Sequence, residues 1–77
     1  MNAERRKRIK DVRERLDDIR WEVEDIRSEE EECYNNLTES LQTSERGDRM
    51  QERIDSLQSA YDSIEEAMDY LDEENYL

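Results

Sequence analysis

The sequence has no proline, no phenylalanine and no histidine, and only one glycine, one cysteine and one tryptophan in 77 residues. Each scarcity excludes something. With no proline and a single glycine, little in the chain interrupts a helix. Without histidine there is no imidazole base, no Cys–His pair and no histidine metal ligand. A lone Cys33 cannot form an intramolecular disulfide and suits a reducing compartment. There is no glycine-rich phosphate loop, no apolar run near the length of a membrane span and no visible signal peptide. The chain therefore reads as non-enzymatic and cytoplasmic, with no catalytic residue, no cofactor and no metal.

Hydrophobic residues are also few, at 32%, with a mean hydropathy of -1.39. What is abundant is charge: 47% of residues are charged and the net charge is -12. That balance argues against binding nucleic acid by phosphate neutralisation, and against docking on anionic membranes. Composition of this kind belongs either to a disordered chain or to a long helix with a narrow apolar seam. Periodicity selects the second.

In the first half, Ile9, Val12, Leu16, Ile19, Val23 and Ile26 follow one another at alternating steps of three and four. In the second half, Met50, Ile54, Leu57, Tyr61, Ile64, Met68 and Leu71 do the same. Both are heptad seams. Folding the chain back near residue 40 pairs Ile9 with Leu71, Val12 with Met68, Leu16 with Ile64, Ile19 with Tyr61, Val23 with Leu57 and Ile26 with Ile54. The expected fold is all-α: a single antiparallel two-helix coiled-coil hairpin over residues 1–77, able to dimerise into a four-helix bundle. Helices are expected at 3–34 and 44–75, joined by a linker at 35–43. Cys33 continues the first seam as a small buried hydrophobe facing Gly47, while Leu37 and Leu41 plug its end.

Charges agree with this register. The expected cross-helix pairs are Arg6 with Asp72, Arg13 with Glu65, Arg8 with Glu74 and Glu29 with Arg53, while Arg20 and Arg27 face Gln58 and Gln51. Residues 1–20 hold eight Arg or Lys against five Asp or Glu, whereas the remainder is strongly acidic. Ser44 is placed to cap the second helix and Thr38 to cap a short turn.

The linker Glu39-Ser40-Leu41-Gln42-Thr43-Ser44-Glu45-Arg46-Gly47 carries a resemblance. It is similar to an ESLQ-x-SERG linker in small acidic helical-hairpin proteins of Gram-positive bacteria and their phages and prophages. The resemblance implies two amphipathic helices flanking this segment and carries no assigned activity. Many members have proline where this chain has Thr38.

Other candidates each have a plain alternative. Glu29 to Glu32 beside Cys33 could suggest a metal site, but consecutive glutamates point around a helix and read as a solvated face. Trp21 falls on the face opposite the seam. It is either a partner contact or a ring lying across neighbouring cationic stems. In the second helix, Ser56, Ala60, Ser63, Ala67 and Tyr70 form a small-residue stripe. It serves either as a homodimer interface or as padding that lets the hairpin close tightly.

Two functions are weighed. The first is a non-catalytic module that self-associates as a homodimer and docks to another protein. The alternative is an acidic DNA-mimic decoy that occupies the basic surface of a nucleic-acid-binding or host-defence protein. Asp55, Asp62, Glu66, Asp69 and Glu73 on the second helix favour the decoy; the basic start of the first helix opposes it.

Overall fold

The computed structural model describes residues 1–76. Helix α1 spans Ala3–Asn35, a four-residue helix α2 spans Glu39–Gln42, α3 spans Glu45–Tyr70, and a 3₁₀ turn spans Glu73–Tyr76. Helices α1 and α3 pack along each other in a rod 58 Å long and 14 by 13 Å across. Among the described residues no helix is long and apolar enough to cross a membrane.

Local chemistry sets the ends. The Asn2 side chain accepts from the Arg5 amide at 2.8 Å and caps α1. Ser44 caps α3 by accepting from the Gly47 amide at 3.4 Å, while its hydroxyl donates to the Leu41 carbonyl. Thr38 is the N-cap of α2 through its backbone alone, its carbonyl accepting from Leu41 and Gln42. The α3 helix stops at Tyr70 and not at residue 75. Asp72, Glu73 and Glu74 would stand at the negative end of the helix dipole, with no basic residue in the last turn to offset them. The chain turns instead, and Asn75 and Tyr76 donate side-chain hydrogen bonds to the Tyr70 carbonyl at 3.4 and 3.0 Å.

On α3 the inward side is the heptad seam. Met50, Ile54 and Met68 are buried, together with Gly47, and Leu57, Tyr61, Ile64 and Leu71 are half-buried. On α1 the inward side differs from expectation. No residue of α1 is fully buried. The recessed column is Ile9, Arg13, Leu16, Arg20, Val23, Arg27, Glu30 and Tyr34. Val12, Ile19 and Ile26, expected in the seam, are instead 37%, 48% and 47% exposed. The helix is rotated by about one residue, so each of these three gives its inward place to the arginine that follows it.

The register is otherwise kept. Arg13 Nε donates to the Met68 carbonyl at 3.1 Å, and the Arg20 guanidinium lies 5.7 Å from the Tyr61 ring centroid. These contacts bracket Leu16 and Ile64, which a slip of one heptad would separate.

Rotation changes the ion pairs as well. None of the four expected cross-helix pairs forms among the described residues. Arg13 meets Asp72 at 3.9 Å, Arg20 meets Glu65 at 3.3 Å and Arg53 meets Glu30 at 3.2 Å. Cys33 is exposed, because Tyr34 takes the inward position next to it. Leu37 is half-buried at the turn, but Leu41 is 41% exposed.

Gly47 faces the connector, not Cys33. A Cβ there would lie 2.1 Å from the Gln42 carbonyl oxygen and 2.6 Å from that of Leu41. Gln42 in turn donates its side-chain amide to the Tyr34 carbonyl at 3.0 Å, tying the connector to the end of α1. The close approach of α3 to α2 therefore needs a residue without a side chain. Gly47→Ala improves intrinsic helix propensity by about 1 kcal/mol, yet it forces backbone apart at a cost of ~1–3 kcal/mol. The variant is expected to have a lower urea midpoint by circular dichroism. An equal or higher midpoint would show that the connector is not seated on Gly47.

Candidate interaction surface

Rotation of α1 gives the hairpin two unlike flanks. On one side Trp21, expected opposite the seam, packs edge-to-face on Tyr61 of α3, with ring centroids 6.5 Å apart at 69°. The Arg20 guanidinium sits 5.0 Å from the Trp21 centroid and contacts both rings as a cation over π faces. The Arg20 head also reaches Asp17 at 2.5 Å and Glu65 at 3.3 Å. Its Nε is buried beside the two rings without a hydrogen-bond partner. Trp21 nevertheless remains 52% exposed, so one face of the indole is open.

Arg27, one heptad on, makes its ion pairs within α1. It bonds both Glu24 oxygens, at 3.0 and 2.7 Å, and Glu31 at 2.6 Å. Hydrogen bonding to Arg27 holds the Glu24 carboxyl below the usual carboxylate range, and the two carboxylates push the Arg27 guanidinium further up.

The other flank is aliphatic. Val12, Ile19 and Ile26 stand at heptad intervals along it, beside the half-buried Ile9, Leu16 and Val23. The Glu30–Arg53 pair crosses to α3 on this side. Arg53 begins a heptad column on α3 that continues through Ala60 and Ala67, so these alanines border the same flank. Ala67 is half-buried and Ala60 exposed. Ser56 and Ser63 are also exposed, and Tyr70 is 69% exposed at the end of α3. The small-residue stripe is thus continuous with a larger aliphatic surface on α1. The periodicity already contained that surface, but had assigned it to the hairpin's own seam.

Polar features are less organised. A cleft of about 460 Å³ opens between the chain ends, where Arg6, Lys7, Lys10 and Arg13 face Glu14, Asp72 and Glu73. Its charges nearly cancel. Among the described residues no three Cys, Asp or Glu side chains converge on a metal-sized centre, and Glu29 to Glu32 fan around the helix. No family model, no curated protein and no solved structure matches the chain.

The aromatic flank can be tested directly. Arg20→Met and Tyr61→Leu should couple, because each removes half of one contact. A double-mutant cycle is expected to give about 0.5–2 kcal/mol of interaction free energy. Either single variant should also shift the emission of Trp21, the chain's one tryptophan. Additive losses with unchanged emission would mean that the stacked arrangement does not persist in solution.

Proposed function

We propose that the protein is a non-catalytic interaction module, a self-associating hairpin that docks to another protein. One observation carries this reading: three branched aliphatic residues, Val12, Ile19 and Ile26, stand 37–48% exposed in a heptad line on a chain poor in apolar residues. A charge-rich protein gains nothing in solubility from such a line, and contiguous exposed apolar surface marks contact sites. The half-open face of Trp21 on the other flank offers an aromatic anchor of the kind that dominates binding energy. The single free cysteine suits the reducing cytoplasm. The resemblance of the linker to hairpins of phages and prophages is the reason to seek the partner among bacterial and phage proteins.

A second reading has its own support. Asp55, Asp62, Glu66, Asp69 and Glu73 are all exposed on or just beyond α3. None of them makes an ion pair among the described residues. An acidic ridge of this kind can steer and occupy a basic surface.

Affinity capture with two matched variants separates the readings. Val12→Ser with Ile19→Ser and Ile26→Ser, or Trp21→Ala, is expected to abolish capture of the partner while α1 stays helical. Neutralising Asp55, Asp62 and Glu66 to their amides is expected to leave capture intact. If the amide variant loses the partner, and wild-type binding falls steeply with salt, the protein acts as a decoy.

A further inference from the structure

The column of α1 just before the aliphatic line is Arg8, Arg15, Glu22 and Glu29. With Ile9 as heptad position a, these are the g positions and Val12, Ile19 and Ile26 are the d positions. All four g residues are exposed, and none takes part in an ion pair among the described residues. The neighbouring arginines at position e (Arg13, Arg20 and Arg27) are all engaged within the hairpin. The g column has two bases followed by two acids, so its charge inverts about the point between Arg15 and Glu22.

Such an inversion is self-complementary. In antiparallel coiled coils g faces g, and these charges select partner and orientation. We propose that two copies of this chain pair antiparallel through α1, about a two-fold axis close to Ile19. Arg8 then meets the partner's Glu29 and Arg15 meets the partner's Glu22, each pair occurring twice. The same alignment sets Val12 against the partner's Ile26 and Ile19 against the partner's Ile19. The contact is isologous, as closed two-fold association requires.

The rest of the flank accommodates the second copy. Overlap from Arg5 to Cys33 spans about 42 Å at 1.5 Å per residue, four heptads in all. The half-buried Ile9, Leu16 and Val23 lie between the e column, covered by α3, and the d column, covered by the second copy. Ala60 and Ala67 on the adjoining edge of α3 leave room for the incoming helix. The product is a four-helix bundle with α1 at its centre. Each copy carries -12, but the four g residues sum to zero, so the contact itself is neutral and only the long-range repulsion needs screening.

The proposal deepens the self-association part of the interaction reading and rests on it. Sedimentation of the full chain at about 0.15 M salt is expected to show twice the 9.4 kDa chain mass. Arg15→Glu alone and Glu22→Arg alone should each weaken the dimer by roughly tenfold or more. Mixed in equal amounts, the two variants should recover it as a heterodimer, because one 15–22 pair is then reversed, the other native, and both are matched. Ile19→Cys in a Cys33→Ser background should oxidise to a covalent dimer. The native Cys33 pair, about 42 Å apart across the axis, should not. Helicity is followed throughout by circular dichroism.

A folded monomer at all concentrations overturns the proposal. So does failure of the two charge variants to rescue each other, or efficient cross-linking through Cys33. A dimer indifferent to Arg15 and Glu22 but broken by Ala60→Arg with Ala67→Arg would move the interface to α3 and overturn it too. Partner capture is scored separately with the Arg15→Glu variant, which weakens the dimer but keeps both the aliphatic line and the exposed Trp21, so loss of the dimer and loss of the docking function are distinguishable.

Discussion

The seating of three arginine stems between α1 and α3 governs the rest of the structure. Arg13, Arg20 and Arg27 occupy inward positions that apolar residues would fill in a simple two-helix seam. Their methylene stems cover apolar surface while their heads reach acceptors at the rim. Arg13 bonds the Met68 carbonyl, Arg20 bonds Asp17 and Glu65, and Arg27 bonds Glu24 and Glu31. Because the stems fill this column, α1 turns by about one residue relative to its hydrophobic stripe. Trp21 is carried onto Tyr61 on one side, and Val12, Ile19 and Ile26 are carried out on the other. The two flanks are consequences of one rotation.

The turn imposes the complementary constraint. Gly47 touches the backbone of the connector, and Tyr34 is held by Gln42 at the end of α1. A large residue entering the interface at Tyr34 and a vacant side-chain position at Gly47 together keep Tyr34, and not Cys33, in the inward column. The rotation is thus set at the closed end as well as along the rod. At the open end, the acid run after Leu71 ends α3 early, and Arg13 meets Asp72 just beyond that end while Glu65, inside the helix, pairs with Arg20.

Much of this could be read from the residues. The α3 seam and the antiparallel register follow from heptad spacing, and Ser44 is visible as a cap. The early stop of α3 was also legible, since three consecutive acids with no base nearby oppose the helix dipole; the apolar spacing through Leu71 obscured it. The choice between the d and e columns of α1 was not legible from hydrophobicity. An arginine counts as polar in any pattern although most of its length packs as a hydrocarbon. Pattern also cannot say which of two interfaces a heptad residue serves. Val12, Ile19 and Ile26 satisfy the spacing rule of a seam whether α3 or another chain covers them. Trp21 stays exposed with the Arg20 cation over its ring, and the turn of α1 adds the edge-on contact with Tyr61 that spacing alone does not show.

A hairpin whose buried apolar side chains are Met50, Ile54 and Met68 has little core of its own among the described residues. Small domains in this position draw stability from association or from staples, and a lone Cys33 cannot form a disulfide within the chain. The a column of α1 is the place where association would act. Ile9, Leu16 and Val23 are each half-covered by α3, so covering the remaining half adds burial to side chains whose ordering is already complete. Whatever covers the aliphatic line therefore stabilises the hairpin as it binds, and folding and recognition draw on the same residues. Net charge works the other way, since acidic repulsion opposes both compaction and pairing. The basic first half of α1 relieves that repulsion locally, around Val12 and Ile19, on a chain of net charge -12.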